Sequence, residues 1–397
     1  MARNRTKHFA GLLLLIFLAQ CIWLIHVELR SEYGCYPAGT MERQERVLRG
    51  LAQWRGQGIA GTPGNGEESF RGYDRYRSSL WYLTAAAPVI FGPAPVTPQR
   101  ERIWLWLTRV PYLISGVLLG ASLWYVTRRL YGNAGGLIAL VLYCFSPGII
   151  QSSSELCRDA EIGAAWGAFG AVFTAIALAH TLYAPREVVL WNWRRITLLG
   201  ISLALAAGSQ FSLAVMVPLT LGFLFYLAPQ RRLAAAVIWT AAFTVAGLLL
   251  LASYFFHLRA FWEGLRAAKF VDTTPSAFAV AANYQRAITH ILRASPLLVV
   301  FLPVVLLTYL LWRRARYFGN SAPLLVAVLC VALAVAAPDF PGQGFLLVAM
   351  PFLFASVAGV FADLIETRRG ATLQLVLGAL LSAYALWNVV ALGMASG

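Results

Sequence analysis

Charge is scarce in this chain, and lysine is nearly missing from it. Of 397 residues only 12% are charged, and Lys7 and Lys269 are the sole lysines. Soluble domains carry about 25% charged residues, so a fully hydrated globular protein is excluded. The five cysteines form no CxxC pair and no Cys/His cluster, so no zinc site is expected. There is no Walker loop, no GxGxxG and no HExxH. Nothing here would bind a nucleotide from the cytoplasm, and a nucleotide-sugar donor is not expected. Internal repeats and a separate soluble domain are absent as well, which leaves 1–397 as a single membrane domain.

What the chain has instead is apolar length. Hydrophobic residues make up 59% and mean hydropathy is +0.66. Runs long enough to cross about 30 Å of hydrocarbon recur along it. We count eleven: about 9–27, 104–126, 134–150, 160–182, 196–208, 211–227, 233–255, 296–312, 322–337, 344–363 and 371–394. The expected class is therefore an all-α polytopic membrane protein. Phe9–Val27 is too long for a cleaved leader and lacks a small-residue cleavage site downstream, so it reads as a retained span. The fifth and sixth runs share the Gly208-Ser209-Gln210 break, as a tight hairpin or a bent pair.

A formal charge of +15 might suggest nucleic acid, but the arginines have a simpler use. Arg3, Arg5 and Lys7 precede the first span. Every second connection is then basic: Arg128/Arg129, Arg186/Arg194/Arg195, Arg231/Arg232, Arg313/Arg314/Arg316 and Arg368/Arg369. Positive residues stay on the cytoplasmic side. The expected topology has the amino terminus inside and the carboxyl terminus outside, with the long loops 28–103 and 256–295 extracytoplasmic. Both loops carry apolar stripes at helical spacing: Val47, Leu48, Leu51 and Trp54, then Leu258, Phe261, Trp262 and Leu265, and Tyr284, Ile288, Ile291 and Leu292. Such helices lie in the interface plane. Gly56–Gly72 reads as a loop leading to a second apolar helix, Ser78–Phe91.

Polar residues set into this pattern are the candidates for chemistry. Arg109 stands five residues inside the second span, where it either snorkels to the interface, pairs with Asp159 or meets a phosphate. Glu155, Arg158 and Asp159 crowd the end of the third. Arg75, Tyr76 and Arg77 form a basic-aromatic cluster suited to a phosphate head group or to anchoring on anionic lipid. Arg259, Arg266 and Lys269 have the same two readings. Gln343, beside Asp339, lines either a cavity or a turn. Cys35 and Cys157 share the outer face, where a disulfide between them is open to test by intact mass.

The stretch from Arg109 to Asp159 resembles the integral-membrane glycosyltransferases of the GT-C fold. It is nearest their bacterial branch, related to protein O-mannosyltransferases and lipid A aminoarabinose transferases. Arg109, Gly116, Tyr125, Arg128, Arg129, Gly132, Gly136, Phe145-Ser146-Pro147 and Asp159 carry the likeness. Ser79–Pro88 followed by Gly92, and Phe345–Pro351, resemble two further family segments. The resemblance implies transfer of a sugar from a polyprenyl phosphate to a lipid, glycan or protein acceptor, at the extracytoplasmic face of a bacterial inner membrane. An acid in the first loop would act as base, and Glu42 holds that position. Asp159 would orient the acceptor or bind a divalent cation, and Arg109, Arg158, Glu155, Arg75, Tyr76, Arg77, Arg259, Lys269 and Gln343 would bind substrate. Two departures point the other way. Glu42-Arg43 stands where relatives have Asp-Glu, and Arg77-Ser78-Ser79 where they have His-Pro-Pro. They favour the alternative of a catalytically silent GT-C subunit with a structural or lipid-binding role. A transporter or flippase is the third reading, disfavoured because, apart from Arg109 and the Gly208 region, neither paired repeats nor charged or broken midplane helices are seen.

Overall fold

The computed structural model describes residues 2–30, 76–87, 98–154, 162–183, 192–271, 273–337, 344–368 and 371–394. The described residues are overwhelmingly helical and contain no strand. Backbone groups in hydrocarbon must be satisfied within their own segment, and a helix does that for so apolar a chain.

In chain order the helices are α1 (Ala2–Arg30), α2 (Ser79–Ala86), α3 (Pro98–Cys144), α4 (Pro147–Ser154), α5 (Ile162–Thr181), α6 (Trp193–Ser209), α7 (Met216–Leu227), α8 (Arg232–Ser253) and α9 (Leu258–Ala267). Then come α10 (Ala281–Ala294), α11 (Leu298–Leu311), α12 (Phe318–Ala336), α13 (Phe345–Arg368) and α14 (Ala371–Met394). All eleven expected runs are helical over most of their length. Among the described residues, seven helices are long and apolar enough to span, or eight counting one bent pair. The count falls short of eleven for local reasons. The runs 104–126 and 134–150 both lie in α3, which is two helical arms joined at the non-helical Gly132 (φ 74°, ψ −170°) and folded back so that Tyr143 meets Gly116, and they are counted together as one long segment. Only glycine adopts that geometry readily. The second of these runs then stops at Cys144, and Pro147 starts the separate helix α4. The 17-residue α6 is short for a span, as is the Phe211–Leu227 helix beyond it.

The chain divides into two compact units. One comprises Met1–Gly34, Tyr112–Ile162 and Thr273–Gly397. Its centre is α13, whose spanning window is 100% buried. That helix is apolar all round, as a helix enclosed by others must be. α14 is its opposite, with 17% of its window buried; Leu377, Tyr384 and Asn388 face inward. α10 and α11 meet at 111°, so they cannot both run along the membrane normal. On one side of this unit, Tyr131 donates to the Gly319 carbonyl (2.6 Å) and Asn320 to Asp363 (2.8 Å).

The second unit comprises Cys35–Pro111 and Gly163–Asp272. Here α6 packs chiefly on α8, and α2 lies across the end of α6. The contact is close. A methyl group at Gly208 would sit 2.7 Å from both Leu80 and Leu250 side chains.

Candidate functional site

Two groups of polar residues are built into the described structure, one in each unit.

In the second unit the site forms where α6 stops. Gln210 is extended (φ −150°, ψ 112°), and the chain resumes as a short 3-10 turn, Phe211–Val215. The break leaves backbone groups without helical partners, and the first loop supplies them. Ser78 donates both its N–H (3.0 Å) and its Oγ (2.7 Å) to the Gly208 carbonyl. The Phe211 N–H donates to the Tyr76 carbonyl (2.9 Å). Ser78 also caps α2, its Oγ accepting from the Leu80 N–H at 3.1 Å. Ser79 shares a hydrogen bond with Ser253 at 2.9 Å. One strand of contacts therefore fixes Tyr76 and Arg77 at the break. The Arg77 guanidinium lies 4.4 Å from the Trp81 ring centroid, a cation–π contact. The Phe211 ring meets Phe270 at 5.6 Å, and Lys269 precedes Phe270 in the chain. Ser209, Gln210 and Ser212 are buried around them. A polar, irregular backbone at membrane depth is tolerated where it is covered by protein or lines a cavity.

In the first unit the polar residues gather around α4, which packs on α1. Its serines are buried and satisfied: Ser153 donates to Ile149 (2.8 Å), and Ser154 to Ile150 (2.7 Å) and Cys21 (3.4 Å). Ser146 donates to Ala294 at 2.6 Å, tying the Phe145-Ser146-Pro147 break to the end of α10. Gly116 lets α3 approach: a methyl there would sit 2.5 Å from Ser153 Oγ. The Tyr143 hydroxyl donates to the Gly116 carbonyl at 2.5 Å. Residues of the family-like stretch thus hold α4 in place.

Arg109 belongs to the second unit and is only 1% exposed. It does not snorkel. A guanidinium buried that fully is held by acceptors in the protein. Arg259 lies on the exposed face of α9, paired with Glu263 at 3.0 Å, and is not gathered to Tyr76 and Arg77. Glu42, Arg75, Glu155, Arg158, Asp159, Gln343, Cys35 and Cys157 lie outside the described residues. So does the first-loop stripe from Val47 to Trp54. Cys21, Cys144 and Cys330 are free and buried. Among the described residues no cluster of three His, Cys, Asp or Glu side chains would hold a metal ion.

Sequence reasoning read Gly208-Ser209-Gln210 only as an interruption; that Ser78 docks there was not legible. It also passed over Asn320 and Asp363. The visible signal was an acid inside an apolar run, opposite an asparagine at the start of another.

No family model matches the sequence, and no curated protein matches it. Solved structures do. The archaeal oligosaccharyltransferase AglB from Archaeoglobus fulgidus, in complex with an inhibitory peptide and a dolichol-phosphate, superposes with a TM-score of 0.60 at 13% identity. The match covers 98% of this chain and 56% of that one. The Archaeoglobus fulgidus oligosaccharyltransferase in complex with zinc and sulfate gives 0.56 at 14% identity, over 96% of this chain and 53% of its own. Its apo form gives 0.54 at 14%, over 98% and 56%. This chain thus spans just over half the length of those proteins, and identity this low speaks to fold alone. On that ground, the chain has the fold of the GT-C membrane glycosyltransferases.

Proposed function

We propose that this protein is a membrane glycosyltransferase that moves a sugar from a polyprenyl phosphate to a lipid, glycan or protein acceptor on the extracytoplasmic face. The observation that carries the proposal is the fold match over 98% of the chain, to an enzyme whose structure holds a dolichol-phosphate.

In the proposed reaction the acceptor hydroxyl attacks the anomeric carbon as the bond to the phosphate oxygen breaks. Glu42 accepts the hydroxyl proton, which requires hydrogen-bond reach to that oxygen. Asp159 orients the acceptor, with Glu155 beside it, and a divalent cation would fit that acidic segment. The lipid phosphate leaves as an anion, so cations must neutralise the charge that develops on it. We assign that role first to Arg77 with Arg75, Tyr76 and Lys269; the backbone bond from Phe211 to Tyr76 beside Arg77 supports the assignment. Arg158 and Gln343 complete the proposed site, and Arg109 supports it from within the protein. Arg259 is left out of it.

Comparing the glycolipids and glycoproteins of deletion and Glu42→Gln strains tests the proposal. Loss of one glycoconjugate in both strains is the expected result. If the deletion changes the profile and Glu42→Gln does not, Glu42 is not the base. An unchanged profile in both favours the silent-subunit reading.

A further inference from the structure

The corner between α8 and α9 has a construction that sugar transfer does not require. Phe255 and Phe256 both have positive φ, 50° and 59°. Bulky side chains strongly disfavour this region, and glycine or asparagine would make the same turn without strain. Two aromatic residues in succession persist there only because the surroundings hold them. Phe255 N–H donates to Ala252 (2.9 Å), Phe256 N–H to Leu251 (3.1 Å) and His257 N–H to Tyr254 (3.0 Å). The His257 ring adds Nδ1 at 3.0 Å from the Phe255 carbonyl oxygen. What the strain achieves is exposure: the two phenylalanines are 54% and 65% exposed, two and three residues beyond the end of α8.

α9 continues that surface. One side packs on Tyr254: Phe261 meets it edge-on at 5.5 Å, and a methyl at Gly264 would sit 2.6 Å from its hydroxyl. At about 100° per residue, Leu258, Trp262 and Leu265 form the next sector, and Arg259 and Arg266 the one after. Leu258 and Trp262 are exposed, and the Arg266 guanidinium lies 5.3 Å from the Trp262 ring centroid. An apolar sector bordered by cations is the pattern of a helix lying at a lipid surface.

We propose that this corner binds anionic phospholipid. Phe255, Phe256, Leu258 and Trp262 enter the acyl region at the level where α8 ends, and Arg259 and Arg266 hold the phosphodiester head group. The surface commits to lipid rather than protein because it is continuous with a helix long and apolar enough to span a membrane and its cations border the apolar sector. Its role does not depend on the transferase reading.

Hydrogen exchange of the full chain tests this in nanodiscs of pure POPC and of POPC with POPG. A cation near an anionic surface contributes enough for about a fivefold effect. POPG should slow exchange across residues 255–267 by that factor or more. Arg259→Gln with Arg266→Gln should abolish the difference while leaving the response around Arg194 and Arg195 intact. Both arginines are exposed, so the double variant retains the fold, and unchanged exchange in α13 verifies that. Equal exchange at 255–267 in the two lipids, or a POPG response that survives in the double variant, overturns the proposal. Phe255→Leu with Phe256→Leu, which keeps apolar bulk, should retain the response, and its loss would show that the response comes from something other than lipid insertion.

Discussion

Ser78 offers the sharpest test of how the first loop is held. In Ser78→Ala two interactions go. The Leu80 N–H loses its cap, which costs about 1 kcal/mol. The Gly208 carbonyl loses the hydroxyl bond, another ~1 kcal/mol. No orphan penalty is added, because the Ser78 N–H still donates to that carbonyl. The total, about 2 kcal/mol, corresponds to a roughly thirtyfold rise in local opening. Hydrogen exchange over residues 76–86 of the intact chain in detergent reads this directly. Ser78→Thr keeps the oxygen and should stay near wild type. Ser79→Ala is the contrast: Ser253 still donates to Leu250 at 2.6 Å, so exchange should change by less than about threefold. If Ser78→Ala also changes by less than about threefold, the loop is held by apolar packing of Leu80 and Trp81, and the docking account fails.

Three further substitutions probe the frame. Gly132→Ala forces a Cβ into a backbone conformation reserved for glycine and should lower stability by about 1–3 kcal/mol, measured as a lower thermal midpoint in detergent. Tyr143→Phe removes one buried bond, to Gly116, and should cost about 1 kcal/mol in the same assay. Asn320→Ala leaves Asp363 with only the weak Tyr317 contact at 3.5 Å and should cost about 2–3 kcal/mol, whereas Asn320→Asp should be worse because it sets two carboxylates together.

Much of the fold was legible because membrane helices obey few rules. Apolar length gave the spans, and the stripe from Leu258 to Leu265 gave α9. The runs 196–208 and 211–227 count as two spans in the sequence, but the break after Gly208 leaves α6 and the Phe211–Leu227 helix short for a span. The site was less legible. Arg109 stood out as a cation in an apolar run, yet burial by neighbours distant in sequence decides whether such a side chain reaches the interface. Arg77-Ser78-Ser79 looked like the loss of a family motif. In the structure Ser78 starts α2 by capping it and also bonds the break, so the departure is locally coherent with an intact loop. That role depends on Gly208, 130 residues away, and no local pattern encodes it.

The central claim is sugar transfer from a polyprenyl phosphate, and turnover in proteoliposomes measures it. The purified chain would be supplied with a radiolabelled polyprenyl-phosphate sugar and a membrane extract as acceptor. The account predicts release of free polyprenyl phosphate with matching label in an acceptor, lost in Glu42→Gln and at least about tenfold slower in Arg77→Gln, from loss of one phosphate contact. No release across a panel of polyprenyl-phosphate sugars, or equal release with Glu42→Gln and Arg77→Gln, would contradict it.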